Sequence, residues 1–175
     1  DLLPLVYTRP VAQLFIGGMT LASRWERLLH ASVVSETETY LQPSAPSLDL
    51  AVLGGCLPSS ALVAAVQQLQ DGQKLVHENT LIAFKGAASS AADELNSFEE
   101  ITFSNPLTII RYPWDLFSNN AQAICNDASF FNDSHTNSLH TSNQQFGQHP
   151  VLVGANVTAH AAVFNTTEGP IILDG

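Results

Sequence analysis

Six side chains in this 175-residue chain carry a fixed positive charge: Arg9, Arg24, Arg27, Lys74, Lys85 and Arg111. A guanidinium can grip two phosphate oxygens at once through parallel N–H donors, and Arg9 sits between Thr8 and Pro10, a short way ahead of the Gly17-Gly18 pair. No cation lies beyond position 111, so a polyanionic ligand must find its protein charges in the first two thirds of the chain. Arg24 and Arg27, beside Glu26, read as the solvated face of a helix. His135, His140 and His149 invite a metal reading, but their spacing matches no standard ligand pattern and no Cys or acidic set accompanies them; they read as an exposed polar loop. Cys56 and Cys125 read as reduced thiols, because no secretory signal precedes them.

The elements that must position these groups follow from hydrophobic spacing. Residues 14–20 predict an extended run broken by the glycine pair, an ordinary tight turn, and then a helix with Leu21, Trp25, Leu28 and Leu29 at helical spacing. Residues 48–53 predict a strand ending at Gly54-Gly55. Ser59 or Ser60 can cap a helix that buries Leu62, Val63, Val66 and Leu69 and stops at Asp71-Gly72. The apolar runs 75–76 and 81–84 flank His77-Glu78-Asn79 as a hairpin. The Ala/Ser-rich stretch 86–97 reads as a loose helix or a surface excursion. A strand over 107–110 and a helix opened by Pro113, with Leu116, Phe117, Ala121 and Ile124 turned inward, complete an alternating α/β pattern with a mostly parallel sheet.

Two further regions differ in character. Residues 132–149 are crowded with Asn, Ser, Thr, Gln and His and read as a polar linker. From 150 to 175 charges are few and small aliphatic residues begin to recur every six positions, Val157 and Val163 among them. That is the spacing of hexapeptide coils, which need stacked neighbours to bury a core; a plain strand-and-turn segment is the other reading. A formal net charge of -10 argues against nucleic acid or an anionic membrane as partner. No apolar run approaches the roughly 20 residues of a membrane span, and the expected location is cytoplasmic. The first residue is Asp, and the chain is expected to be a piece of a longer protein.

Several of these segments resemble one family. Arg9-Pro10-Val11 stands where the sugar-1-phosphate nucleotidyltransferases carry a Lys-Pro-Leu-type motif, Gly17-Gly18-Met19-Thr20 where they carry a glycine turn, and Trp25-Glu26-Arg27-Leu28-Leu29 where they carry a helix face. The likeness runs on through Gly55-Cys56-Leu57-Pro58, the block Tyr112-Pro113-Trp114-Asp115-Leu116-Phe117, and Gly169-Pro170-Ile171-Ile172-Leu173. In particular it resembles sugar nucleotidyltransferases in which a Thr-Arg-Pro-Val-Ala run replaces the lysine motif, relatives of the N-terminal domain of the bifunctional N-acetylglucosamine-1-phosphate uridylyltransferase family and of glucose-1-phosphate thymidylyltransferases. The resemblance implies a three-layer, Rossmann-like nucleotide-diphospho-sugar transferase domain over 1–131, truncated at its front so that the family's glycine-rich nucleotide loop would precede Asp1. A linker over 132–149 and the first coils of a left-handed parallel β-helix over 150–175 would follow.

It also implies an activity, the transfer of a nucleotidyl group from UTP or dTTP to a sugar 1-phosphate with release of pyrophosphate. Such catalysis is mostly positioning and charge neutralisation. By the resemblance Arg9 takes the place of the catalytic lysine, Thr8, Gly54 and Gly55 bind substrate, and Asn120 is a ligand of Mg²⁺. The family's other magnesium ligand, an Asp after glycine, is here Cys56, a poor partner for a hard cation; Asp49 substitutes only if it faces the same cleft. A second class therefore stays open: a noncatalytic relative serving as a binding or assembly module beside a β-helix acyltransferase domain. Homo-oligomerisation through the β-helix is left open too.

Overall fold

The computed structural model describes residues 2–38, 40–41, 49–86 and 94–174. Leu48, expected to begin a strand, and 87–93 of the Ala/Ser-rich stretch lie outside them. The chain divides into two compact units, one of Asp1–Leu14 with Thr20–Pro113 and the other of Phe15–Met19 with Trp114–Gly175. Two short strands, β1 (Phe15–Ile16) and β2 (Met19–Thr20), pair about Gly17, whose φ of +68° is the left-handed conformation that glycine adopts without strain.

In the first unit a 3₁₀ turn at Val11–Gln13 precedes α1 (Leu21–Leu29). Thr20 caps α1 by accepting a hydrogen bond from the Ser23 N–H at 3.1 Å, and His30 ends it in the left-handed region. Leu21 and Trp25 are buried as the spacing predicts. Arg24 is buried with them, 3% exposed, and is not on a solvated face as expected; the i, i+3, i+4 relation among Leu21, Arg24 and Trp25 puts all three on one side. Arg27 is exposed.

The strands β3 (Leu50–Val52) and β4 (Cys56–Leu57) follow, then α2 (Ser60–Gln68), capped by Ser59, whose hydroxyl accepts from the Leu62 N–H at 3.2 Å. The expected hairpin is β5 (Gln73–His77) and β6 (Thr80–Lys85), joined by Glu78-Asn79. Both turn residues have positive φ, as a type I′ connection requires. With β7 (Glu99–Thr102) these strands form one sheet in the order β3-β6-β5-β7. The sheet is mixed: β3–β6 and β5–β6 are antiparallel and β5–β7 alone is parallel, where a mostly parallel sheet was expected. The hairpin turn explains the difference, since a two-residue connection can only join antiparallel strands. β8 (Thr108–Ile109) pairs antiparallel with β4. The core beneath is built by Trp25, Cys56, Leu62, Val66, Leu75, Ile82 and Phe103.

The second unit is organised by α3 (Pro113–Phe131). Its buried residues are Ala123, Asp127 and Phe131. Phe117, expected inward, is 81% exposed, and Ala121 is exposed as well; the inward stripe is rotated because it is Asn120, Ala123 and Asp127 that meet the glycine turn. Residues 144–147 within the expected linker form β9 (Gln144–Gly147), followed by β10 (Val151–Val153), β11 (Val163–Thr166) and β12 (Ile171–Leu173). β11 lies parallel on β9, nineteen positions apart (Gln144 with Val163), and β12 lies parallel on β10, twenty apart (Val151 with Ile171). Thr136 bridges Val153 in the same parallel sense. Among the described residues no helix is long and apolar enough to cross a membrane.

Candidate functional site

The first unit holds a cleft of about 700 Å³ whose lining includes Pro10, Val11, Ala12, Asp49, Gly54 and Gly55. Two sequence motifs more than forty residues apart meet here. The 3₁₀ turn that follows Arg9-Pro10 packs against the turn that ends β3: a methyl group added at Gly54 would lie 3.6 Å from Ala12 Cβ, and one at Gly55 3.6 Å from Val11 Cγ1. Thr8 and Arg9 are exposed, and among the described residues Arg9 makes no ion pair or hydrogen bond that would occupy its guanidinium. Its donors are thus available for an anionic ligand.

Gly54 and Gly55 play different parts. Gly54 is half-buried on the cleft wall. Gly55 is buried, and its carbonyl accepts from the Ile110 N–H at 2.8 Å; a Cβ there would stand 2.9 Å from the Ile110 carbonyl oxygen. Glycine at 55 is therefore demanded by strand approach as much as by any ligand. Asp49 lines the cleft and is exposed, while its carbonyl accepts from the Gly86 N–H at 2.9 Å.

Cys56 is different. It is fully buried in the core, and its carbonyl accepts from Trp25 Nε1 at 3.2 Å. Burial pushes its thiol up to about 12, against a smaller opposing pull from the Arg111 charge, and a soft sulfur in the apolar core is a poor partner for a hard cation such as Mg²⁺.

In the second unit Asn120 and Asp127 hold the glycine turn. Asn120 Oδ1 accepts from the Gly17 N–H at 2.8 Å, and Asp127 Oδ2 from the Gly18 N–H at 2.9 Å. A side chain at Gly17 would collide with Asp127 and Ala123. The Asn120 oxygen assigned to magnesium by resemblance is thus already engaged, and the Gly17-Gly18 turn is a packing device. Among the described residues no group of three or more His, Cys, Asp and Glu converges as a metal site. Cys56 offers no carboxylate and Asn120 Oδ1 already spends one of its two lone pairs on Gly17, so the described residues present no assembled set of oxygen ligands for Mg²⁺.

Sequence reasoning missed Asp127, fully buried, and the burial of Arg24. Both were findable: Asp127 lies seven positions after Asn120 on one helix face, and Arg24 falls within the apolar stripe of α1.

The profile of the sugar nucleotidyl transferase family matches residues 1–136. The chain belongs to that family. The match spans the whole of the first unit, with its cleft and the Arg9 segment, and the Gly17 turn with the α3 residues that hold it. No curated protein and no solved structure shows significant similarity to the chain. Family membership supports nucleotidyl transfer chemistry on a sugar phosphate as the activity class, and the cleft lined by Pro10, Val11, Ala12, Gly54 and Gly55, but not by Thr8 or Arg9, is a concave feature of the first unit where family motifs meet.

Proposed function

We propose that the chain forms the nucleotide-sugar-synthesising part of an enzyme that transfers a nucleotidyl group from UTP or dTTP to a hexose 1-phosphate. In this reaction a phosphate oxygen of the sugar 1-phosphate attacks the α-phosphorus of the triphosphate and pyrophosphate leaves. Arg9 neutralises charge on the phosphates, and Thr8 and the Gly54 wall border the substrate. The observation that carries this reading is the packing of the turn after Arg9 against Gly54 and Gly55 at one cleft, within a segment that matches the family. A permanently charged donor that is exposed and uncommitted is what such a site needs, since the transition state is stabilised by positioned charge.

Magnesium, where the reaction uses it, commonly arrives with substrate phosphates; no step here is routed through it. Left-handed β-helical coils over 150–175 are part of the same proposal. They are supported by the two parallel pairings at nineteen and twenty residues, close to the roughly 18 of three six-residue sides. Release of pyrophosphate from UTP or dTTP by the full-length protein, dependent on a hexose 1-phosphate, tests the activity. No turnover across several sugar phosphates with either triphosphate would reject it.

The second reading, a noncatalytic binding or assembly module, is favoured by one observation: a protonated, buried thiol at Cys56 where the family's metal carboxylate is expected. Tight binding of a nucleotide sugar with no turnover would select it.

A further inference from the structure

We propose that His135 and Asp174 form a site for one divalent cation of the zinc class, spanning the parallel strands of the second unit across Gly154. The side chains come from segments almost forty positions apart. His135 follows α3 and its carbonyl accepts from the Val153 N–H at 3.2 Å; Gly154 donates its N–H to Leu173 at 2.8 Å; Asp174 follows β12. The ladder therefore fixes all three backbones in relation to one another.

The imidazole is 92% buried (8% exposed), and its Nε2 lies 3.3 Å from Asp174 Oδ1 without making a hydrogen bond to it or to any other atom. A direct hydrogen bond would be shorter and aligned, at about 2.7–2.9 Å for a charged pair. A separation of 3.3 Å matches that of two ligands on one ion: zinc bonds of roughly 2.05 Å to nitrogen and 2.1 Å to oxygen at a tetrahedral angle place the two atoms roughly 3.4 Å apart.

Gly154 supplies the room. A Cβ at this position would stand 2.9 Å from His135 Nε2 and 3.1 Å from Asp174 Oδ1, so any other residue would fill the space the pair encloses. The other ring nitrogen is already oriented: Nδ1 is 2.9 Å from Ser134 Oγ, and Phe131 meets the ring edge-on at 4.8 Å. The Ser134 hydroxyl can accept a proton from Nδ1, which would leave Nε2 as the ligating nitrogen; ligating histidines characteristically donate their second nitrogen in this way. Asp174 is 71% exposed, which opens the remaining coordination positions to water. Two protein ligands make this a weak, exchangeable site.

The experiment is titration of Zn²⁺ into the metal-stripped chain, followed by calorimetry and by thermal unfolding. The expected result is one equivalent bound in the micromolar range with a rise in Tm. Asp174→Asn, at an exposed position where folding is not at risk, should weaken affinity at least tenfold, as should His135→Ala and Gly154→Ala. Binding should survive His140→Ala with His160→Ala, whose rings lie 4.7 Å apart elsewhere on the surface. Absence of binding up to about 1 mM Zn²⁺, well above the affinity expected of a specific site, would overturn the proposal. So would binding that Asp174→Asn leaves unchanged.

Discussion

Cys56→Asp restores, on paper, the carboxylate that the sugar nucleotidyltransferases place after glycine, and its outcome separates sequence analogy from structure. The side chain of Cys56 is fully buried in the core of the first unit. That environment raises the thiol from 9.0 to about 12, chiefly by desolvation. A shift of about three pKa units corresponds to about 4 kcal/mol against the charged form, and an ionised aspartate at the same place meets a penalty of that order, before any cost of its larger volume. The sign follows from the same desolvation: the aspartate's folded pKa is raised above its unfolded value of about 3.9. The penalty is therefore small near pH 4, grows with pH, and is complete once the folded-state group has ionised. Urea unfolding of Cys56→Asp against wild type and Cys56→Ala, at several pH values from about 4 to 8, reads this directly, with a loss of about 3–4 kcal/mol expected at the upper end. A Cys56→Asp protein as stable as wild type at pH 8, with newly strengthened magnesium dependence, would show that position 56 faces the cleft and refute the reasoning.

Arg9→Ala should lower turnover of the full-length protein by roughly two to three orders of magnitude, the usual loss of one transition-state donor, with an unchanged Tm because Arg9 is exposed; a comparable loss of stability would make Arg9 structural. Asn120→Ala should cost about 1–2 kcal/mol by leaving the Gly17 N–H unpaired, by the same amount with and without Mg²⁺ in thermal unfolding; a cost confined to Mg²⁺-containing buffer would restore its role as a metal ligand. Gly55→Ala should destabilise by about 1–3 kcal/mol through its contact with the Ile110 carbonyl, measured by chemical denaturation, and a neutral result would mean that β4 and β8 separate easily.

The local elements were legible because their causes are local. Ser59, one of two serines read as a cap, and Pro113, read as a helix start, were legible from residue type and spacing alone, while the cap at Thr20 went unread. Strand direction was not. Outside the hairpin, whose short connection fixes it, the direction in which β3 meets β6 and β7 meets β5 depends on pairings between segments joined by long connections. The linker reading of 132–149 rested on the absence of aliphatic residues, yet β9 is held by its main chain and by Gln145, whose amide reaches the His149 carbonyl and the buried Thr166 hydroxyl. Stacked parallel strands can be built on polar side chains that bond across the stack, which a hydrophobicity pattern does not register.

The candidate site shows the same division. Arg9 was found because few cations exist and one falls in a family motif, and Gly54 because it ends a strand. Asn120 was given a chemical role by analogy, while its Oδ1 holds the backbone of Gly17, a partner more than a hundred positions away. A carboxamide oxygen carries two lone pairs and is suited to either task, so residue type alone does not reveal the partner at 2.8 Å. The His135 and Asp174 pair is the converse case. Two residues with no helical or hairpin spacing between them are brought to 3.3 Å by a parallel ladder whose register is fixed by Val153 and Leu173. A metal-ligand pattern written along a helix repeats in sequence, whereas one written across paired parallel strands depends on the offset of each pairing, and offsets of nineteen and twenty in the two pairs leave no single period for a sequence search to use.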